Sequence, residues 1–319
     1  MYFSQYTDEE EETICRELKD HSLTKSREDY IKLRERAQYD LDSIKPLSPV
    51  GLNFIEYFIH KELLNTKSKH KISFYDFWYN REFYMNRDNA TRNLIASIKK
   101  NKPYLTDIKV GKQVFNLYYG SVSIFRPTNA ARLYAQLKPT CILDFTMGWG
   151  GRMVGAAIMN VPKYIGFDMN TRLAVPYERM ITEVKKVPTE TDIHVDFLDA
   201  LSVDYNKLEY DMVFTSPPFY NKEMYGEIEP FSSYDEWDAE FYKPIFTKTW
   251  NGLQTGGHYC LNIPILLYER VCISLFGEAD ELVELKKYSR ILPKNMKKQH
   301  NVGQKYKEYI YIWKKKNQV

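Results

Sequence analysis

The residue types best suited to chemistry lie in one short segment, Ser216-Pro217-Pro218-Phe219. It follows the apolar run 211–215, which is typical of a buried strand, and this strand must end by Ser216 because proline lacks the N–H that a strand donates. The prolines keep their carbonyls, so the segment is rich in hydrogen-bond acceptors and poor in donors. It therefore suits the binding of an amino group, with Phe219 stacked on a flat ring. The alternative is a stiff turn that merely closes a strand.

A second segment, 144–152, reads Asp-Phe-Thr-Met-Gly-Trp-Gly-Gly-Arg. Glycines at the passage from a strand to a helix allow a sharp turn and the close approach of a ligand. Twenty residues after Gly148, Asp168 ends another apolar run and is placed to accept hydrogen bonds from ribose hydroxyls. The pairing indicates a nucleoside-bearing cofactor, and the alternative is a tight turn without a ligand.

The spacing argues against two common nucleotide cofactors. Met153 stands where the dinucleotide fingerprint requires glycine, and the chain has no phosphate loop ending in Gly-Lys-Ser/Thr. A cofactor with ribose and no phosphate fits better. S-adenosylmethionine is therefore predicted rather than a nicotinamide dinucleotide or ATP.

Three further acids are candidates for cofactor contacts. Asp196 and Asp199 follow the third predicted strand, where a carboxylate can accept from an adenine amino group or, alternatively, cap a helical turn. Asp144 is a candidate either for the amino group of the cofactor or for organising the glycine-rich loop.

Strand and helix patterns alternate regularly from residue 141 onward. Helical crossovers between strands predict an α/β fold with a mostly parallel sheet covered on both faces, and the last two strands are expected to pair as an antiparallel hairpin. The predicted strands are 141–145, 163–168, 192–197, 210–215, 257–263, 283–292 and 308–313, and the predicted helices are 129–137, 150–159, 172–186, 234–251 and 268–276.

The first hundred residues have mainly helical spacing. Thr7 before the acids 8–12 predicts a helix N-cap, and Asp88 is predicted to cap another helix. We expect a helical domain or cap over 1–102 and a catalytic domain over 103–319, with a possible strand at 114–118. Further helices are predicted at 27–40, 52–64, 75–84 and 91–98.

Aromatic and basic residues are interleaved within this helical region. Such a mixture can stack on exposed bases and pair with phosphates, or it can pack a helix against the catalytic domain; core packing is favoured. The residues are Phe74, Tyr75, Phe77, Trp78, Tyr79, Phe83 and Tyr84, beside His70, Lys71, Arg81 and Arg87.

Composition bounds the protein class. With 319 residues, 44% hydrophobic and 27% charged, the chain is an ordinary globular protein, and its net charge of +3 neither requires nor excludes nucleic acid. Four cysteines without paired metal-ligand spacing predict reduced thiols in a cytosol-like compartment and no metal site. No signal-peptide pattern is visible, and charges interrupt the apolar stretch 261–276, so we expect a protein that is neither secreted nor bound to a membrane.

The order of these motifs resembles the amino-group DNA methyltransferases, which modify N4 of cytosine or N6 of adenine. Their catalytic motif matches Ser216-Pro217-Pro218-Phe219, their glycine-rich motif matches 144–151, and Phe125-Arg126-Pro127-Thr128 is similar to the segment that contacts the methionine part of their cofactor. The resemblance covers roughly residues 115 to 315. It implies a Rossmann-like methyltransferase fold with a seven-stranded sheet.

The resemblance also implies the activity and the residues that carry it. A base leaves its duplex, stacks on Phe219, and presents its amino group to Ser216 and the Pro217 carbonyl. The initial serine places cytosine N4 slightly ahead of adenine N6, although many enzymes with this motif carry the catalytic loop before the glycine loop. The implied cofactor residues are Phe125, Arg126, Pro127, Thr128, Asp144, Thr146, Gly148, Trp149, Gly150, Gly151, Asp168, Asp196 and Asp199.

DNA is the predicted partner and RNA an alternative substrate; a third hypothesis is a nucleic-acid-binding subunit without turnover. Tyr220 and Lys222 continue the catalytic loop and are expected to shape the target pocket, unless they form an ordinary surface connection. Lys294, Lys297 and Lys298 belong to a basic loop that suits a phosphate backbone or, alternatively, a solvated hairpin.

Overall fold

A seven-stranded sheet lies at the centre of the computed structural model, which describes residues 6–20, 22–45, 47–68, 70–120, 122–220, 223–224, 231–285 and 308–316. A separate two-stranded ribbon pairs a segment from the N-terminal half with one that follows the catalytic loop. The strands are β1 Lys67–Ser68, β2 Cys141–Asp144, β3 Lys163–Asp168, β4 Asp192–Phe197, β5 Met212–Thr215, β6 Glu223–Met224, β7 His258–Ile263, β8 Glu281–Leu285 and β9 Glu308–Lys314.

The order of the strands across the sheet is β4-β3-β2-β5-β7-β9-β8. The five strands from β4 to β7 are parallel to their neighbours, whereas β9 is antiparallel to both β7 and β8. The predicted α/β class, the mostly parallel sheet and the final antiparallel pair are confirmed. The sheet therefore has a Rossmann-like arrangement, with helical crossovers between its parallel strands.

Helices cover both faces of the sheet. The helices are α1 Asp8–Leu18, α2 Leu23–Asp40, α3 Leu52–Asn65, α4 Phe74–Tyr79, α5 Arg81–Met85, α6 Asn89–Asn101, α7 Asp107–Tyr118, α8 Pro127–Leu137, α9 Gly151–Ile158, α10 Ala174–Lys185, α11 Tyr234–Trp237, α12 Lys243–Gly252, α13 Ile265–Leu267 and α14 Ile273–Phe276. A π-helical segment, Asp238–Tyr242, joins α11 to α12, and a second one, Tyr268–Cys272, joins α13 to α14.

The apolar side chains form three clusters. Tyr30 of α2 and Phe54 of α3 share one cluster with Ile142 and Phe214 of the sheet, so these N-terminal helices pack directly on the sheet. The opposite face of the sheet packs against the helices from α11 to α14. The third cluster belongs to α1 and α4–α7 and contains the buried rings of Phe74, Tyr75 and Phe77. The division of the chain at residue 102 stays a prediction.

The strand predicted at 114–118 is wrong, because this segment is the second half of α7. Ile108, Val114 and Phe115 recur at helical spacing and are buried in the third cluster. Gly111 lies on the same face, where an added Cβ would come within 2.7 Å of the Trp78 ring. The close packing of α7 on α4 therefore selects a helix.

The predicted caps are confirmed. The Thr7 hydroxyl accepts a hydrogen bond from the Glu10 amide, and the Glu10 carboxylate accepts one from the Thr7 amide. Asp88 accepts from the Thr91 amide at 2.7 Å. Among the described residues, no helix combines the length and apolar character needed to span a membrane.

Candidate active site

The glycine-rich loop and the Ser-Pro-Pro-Phe segment lie at the same edge of the sheet. Strands β2 and β5 are parallel neighbours, with Leu143 opposite Val213, so their carboxyl ends meet. The Thr215 hydroxyl donates to Asp144 Oδ1 at 2.7 Å, and the hydroxyls of Thr146 and Thr215 are 2.6 Å apart. The two segments are therefore joined directly by hydrogen bonds.

Asp144 organises the loop rather than facing a ligand. Its carboxylate is fully buried and accepts hydrogen bonds from Arg152 Nε at 2.7 Å, Tyr164 at 2.6 Å and Thr215. Arg152 also donates to the Thr146 carbonyl at 2.6 Å. Burial, the largest single influence, lowers the pKa of Arg152, but the charge and hydrogen bonds of Asp144 together with the nearby tyrosines outweigh burial, so the pKa is raised. Of the two roles predicted for Asp144, these contacts support the structural one.

Three glycines determine the path of this loop. Gly148 and Gly150 have φ angles of +57° and +87°, which favour glycine. At Gly151 an added Cβ would stand 1.8 Å from the Phe125 carbonyl oxygen. Only glycine allows the segment 125–128 to lie against the start of α9, so the predicted methionine segment and the glycine loop form one structure.

The other residues of the segment 125–128 have mainly structural contacts. Arg126 donates to the Ser48 carbonyl at 2.8 Å, and Pro127 and Thr128 are buried in the first turn of α8. The Phe125 ring lies 5.6 Å from the Arg152 guanidinium, a cation–π contact. The segment thus supports the wall of the glycine-rich loop.

Asp168 lies where the sequence predicts a ribose-binding acid. Its Oδ2 accepts from the Gly148 amide at 2.8 Å and its Oδ1 from the Asn170 amide at 2.9 Å. Burial raises the pKa of this carboxyl, and the two amides oppose that rise. Because each carboxylate oxygen has two lone pairs, one on each remains available to a diol. Residues 148 and 168 therefore fit a nucleoside ligand.

Asp196 and Asp199 are both exposed near the carboxyl end of β4. Asp199 accepts from the Leu201 amide at 2.9 Å and caps the short 3-10 helix Ala200–Ser202. Of the two roles predicted for Asp199, the structure shows the helix cap. Trp149, another predicted cofactor residue, is buried in the first apolar cluster.

Ser216 contacts Asn262, the penultimate residue of the adjacent strand β7, on the same edge. The Ser216 hydroxyl lies 3.2 Å from both the Asn262 carbonyl oxygen and its Oδ1. Asn262 Nδ2 donates to the Tyr309 carbonyl of β9 at 3.1 Å, so its amide oxygen is turned toward the serine. Asn262 thus has a partner for its amide nitrogen, and its amide oxygen reaches the candidate catalytic residue.

Tyr242 holds the rest of the catalytic loop. Its hydroxyl donates to the Pro218 carbonyl and accepts from the Tyr220 amide at 3.0 Å. Tyr220 has a φ angle of +52°, and its buried hydroxyl donates to Asp238 at 3.0 Å. Tyr220, which the sequence predicted to shape the target pocket, is buried and packs behind the loop, while Phe219 is half-buried at the edge. The role of Tyr220 toward nucleic acid stays a prediction.

Asp238 and Arg270 add further hydrogen bonds behind the loop that Tyr220 and Tyr242 hold. The sequence analysis did not identify either residue. Arg270 Nε donates to Asp238 Oδ2 at 2.8 Å, and the same guanidinium pairs with Asp235 at 2.6 Å. Asp238, Tyr242 and Arg270 all lie in the two π-helical segments. Such insertions often occur at functional sites, but they disturb the helical period that a sequence pattern relies on.

Four predicted nucleic-acid residues, Lys222, Lys294, Lys297 and Lys298, lie outside the described residues. Within the described ranges no cluster of three histidines, cysteines or acidic residues is arranged for a metal ion.

Neither a family model nor a curated protein matches the sequence. Among solved structures, TrmN from Thermus thermophilus has 14% identity over 59% of this chain and 48% of its own, with a TM-score of 0.41. A tRNA methyltransferase from M. jannaschii has 14% identity over 63% and 53%, with a TM-score of 0.39.

A SAM-dependent O-methyltransferase from Thermotoga maritima has 14% identity over 65% of this chain and 72% of its own, with a TM-score of 0.40. The chain spans about half the length of the first two structures. At this level of similarity the substrates of these proteins carry no weight here. The function must be inferred from the site.

Proposed function

We propose that this chain is an S-adenosylmethionine-dependent methyltransferase that methylates an exocyclic amino group of a base in DNA, with cytosine N4 ahead of adenine N6. The observation that carries the proposal is the contact between the two loops. Thr146 follows β2, Thr215 ends β5, and their hydroxyls are 2.6 Å apart. A cofactor over the glycine loop therefore lies next to a base held at Ser216.

The candidate cofactor residues provide shape and acceptors. Asp168 would bind the ribose hydroxyls, and the loop from Thr146 to Gly150 would lie under the nucleoside, where Gly148 leaves open space. When bound, S-adenosylmethionine supplies a methyl group activated by a sulfonium. The residues of this chain would contribute by positioning the cofactor and the base relative to each other.

Ser216 and Pro217 would orient the amino group. Because the Ser216 hydrogen is directed toward Asn262, the lone pairs of its oxygen remain for the hydrogens of an amino group. The Pro217 carbonyl supplies a second acceptor. Two acceptors favour a pyramidal nitrogen, whose lone pair is then less delocalised into the ring, and Phe219 would stack on the base.

The proton lost after transfer would pass to water, because a serine is a poor proton acceptor. A covalent route through a thiolate is disfavoured, since no cysteine stands on the loop. Cys260 lies on the neighbouring strand, but it is buried, and burial raises the pKa of its thiol well above the usual value.

The test is incubation of the full chain with methyl-labelled cofactor and single-stranded DNA, duplex DNA or RNA, followed by nucleoside analysis. Labelled N4-methylcytosine or N6-methyladenine from DNA supports the proposal, label in RNA alone moves the substrate to RNA, and no labelled nucleoside overturns it. Pro217→Ala and Phe219→Ala are expected to lower turnover more than cofactor affinity. Pro188→Ala, in an exposed loop, is the control.

A further inference from the structure

The helices α4–α7 and the strand β1 form a strongly basic part of the chain, called here the basic unit, residues 67–120. Between positions 67 and 112 the sequence has 11 lysines and arginines against 4 acidic residues. The whole chain has a net charge of +3, so the remaining residues are acidic on balance. A positive charge concentrated in one region indicates a polyanionic partner.

The aromatic residues of the basic unit fall into two groups. Phe74, Tyr75 and Phe77 are buried, which confirms core packing for them. Tyr79, the last residue of α4, and Phe83 of α5 are 51% and 69% exposed. Large exposed rings beside cations are costly to solvate and suit stacking on unpaired bases.

Two arginines of the basic unit are held in place by rings. The Arg81 guanidinium lies 5.1 Å from the Trp78 ring centre and donates to the Trp78 carbonyl. Arg87 lies 5.0 Å from the Tyr118 ring and donates to the Tyr119 hydroxyl at 3.0 Å. Guanidinium groups that are fixed in this way lose little conformational entropy on binding a phosphate.

The basic unit borders the candidate active site at two points. Strand β1 pairs with β6, with Lys67 opposite Met224, directly after the catalytic loop. At its other end α7 leads through residue 120 into the segment 125–128, which lies against the glycine loop. A nucleic acid whose target base occupies the site would therefore continue across this unit.

We propose that the basic unit binds an unpaired stretch of the nucleic-acid substrate beside the target base, with Phe83 and Tyr79 stacking on bases and Arg81 contacting a phosphate. This inference rests on the proposed function for the identity of the partner. It assigns substrate binding to helices outside the methyltransferase sheet.

The experiment measures binding of the full chain to a labelled single-stranded oligonucleotide of about 16 nucleotides, and to its duplex, by fluorescence anisotropy without cofactor. Phe83→Ala is expected to weaken single-strand binding about tenfold. Arg81→Gln should also reduce the slope of log affinity against log salt by about one. Duplex binding by the wild type should be weaker than single-strand binding.

Matched controls are available on α2, outside the basic unit. Tyr39 is 96% exposed and Arg36 is exposed. Tyr39→Ala and Arg36→Gln therefore remove an exposed ring and an exposed guanidinium group outside the basic unit. Equal affinity of Phe83→Ala and wild type, equal losses in the controls, or preference for the duplex would each overturn the inference.

Turnover separates this inference from the proposed function. At saturating oligonucleotide, Phe83→Ala should retain kcat with a raised KM. If the wild type methylates nucleic acid while Phe83→Ala binds normally, only the inference fails. If no base is methylated while Phe83→Ala still weakens binding, only the proposed reaction fails.

Discussion

Ser216 Oγ lies 3.2 Å from Asn262 Oδ1, a contact that joins the carboxyl ends of β5 and β7. Because Asn262 is 2% exposed and its Nδ2 is bonded to the Tyr309 carbonyl, its amide cannot turn over without losing that bond. The serine hydrogen therefore has a fixed partner. In the proposed function, this leaves the lone pairs of the serine oxygen to accept hydrogen bonds from a base.

Asn262→Asp tests the orientation of the serine. An aspartate keeps an acceptor for Ser216 but sets an oxygen against the Tyr309 carbonyl, so the side chain should move and Ser216 should lose its alignment. Turnover is expected to fall about tenfold, the effect of one misplaced hydrogen bond, while the cofactor Kd changes less than about twofold. Calorimetry and single-turnover rates measure the two quantities. A parallel loss of affinity and rate would contradict the role assigned to Asn262.

Tyr242→Phe removes one hydroxyl from the support of the catalytic loop. The Pro218 carbonyl and the Tyr220 amide then lose their common partner, so turnover should fall about tenfold. Tyr259→Phe is the matched control, because its buried hydroxyl bonds to Thr249 at 2.7 Å in the same apolar cluster. Both variants should lose about 1 kcal/mol of unfolding free energy in urea. If the control lost as much turnover, a general loss of packing would explain the effect.

The strands of the large sheet were predictable from local patterns, although β8 begins at Glu281, two residues before its predicted start, and the two-residue strands β1 and β6 were not predicted. The β3 and β4 ranges, 163–168 and 192–197, match the predictions residue for residue, since β3 is a mainly apolar run and β4 alternates polar and apolar residues. The second half of α7, up to Tyr118, was predicted as a strand. Its helical form depends on the packing of Trp78 against Gly111, which the local sequence pattern does not show. Tyr242 was likewise assigned to no site, because its role depends on a π-helical segment and on a loop 24 residues away.

Among the residues of the candidate site, some were likewise predictable from local patterns and others were not. The position of Asp168 at the end of β3 was predictable because its separation from Gly148 follows from the length of one helix and one strand. The partnership of Ser216 with Asn262 spans 46 residues and depends on the order of strands, which local patterns do not determine.

Asp168→Asn is expected to weaken cofactor binding about tenfold to a hundredfold, in line with the loss of a charge-assisted hydrogen bond. Both carboxylate oxygens accept from backbone amides, so an asparagine must direct its NH₂ group at Gly148 or Asn170. The loop would then shift away from a bound nucleoside. Calorimetry with S-adenosylmethionine measures the Kd, and exposed Asp42→Asn is the control. An unchanged Kd would remove Asp168 from the cofactor site.

Glu183 links the N-terminal helices to the sheet domain in a pH-dependent way. Its carboxylate accepts from Arg27 of α2 at 3.0 Å and pairs with Lys186 at 2.7 Å. The Arg27 hydrogen bonds, with a smaller contribution from Lys186, lower the pKa of Glu183 to about 2. A carboxyl with a lowered pKa in the folded state adds stability above its ordinary pKa near 4.5, and this stability is lost as the pH falls toward 2.

Glu183→Gln should therefore lower the urea midpoint near pH 7, and the difference from wild type should shrink steadily between about pH 5 and pH 2. Part of the effect will be screened by salt, because the Arg27 side chain is 41% exposed. Glu178→Gln, at an exposed position of the same helix, is expected to leave the midpoint unchanged. A difference that stayed constant from neutral to acid pH would mean that Glu183 stabilises the junction by packing and not by its charge.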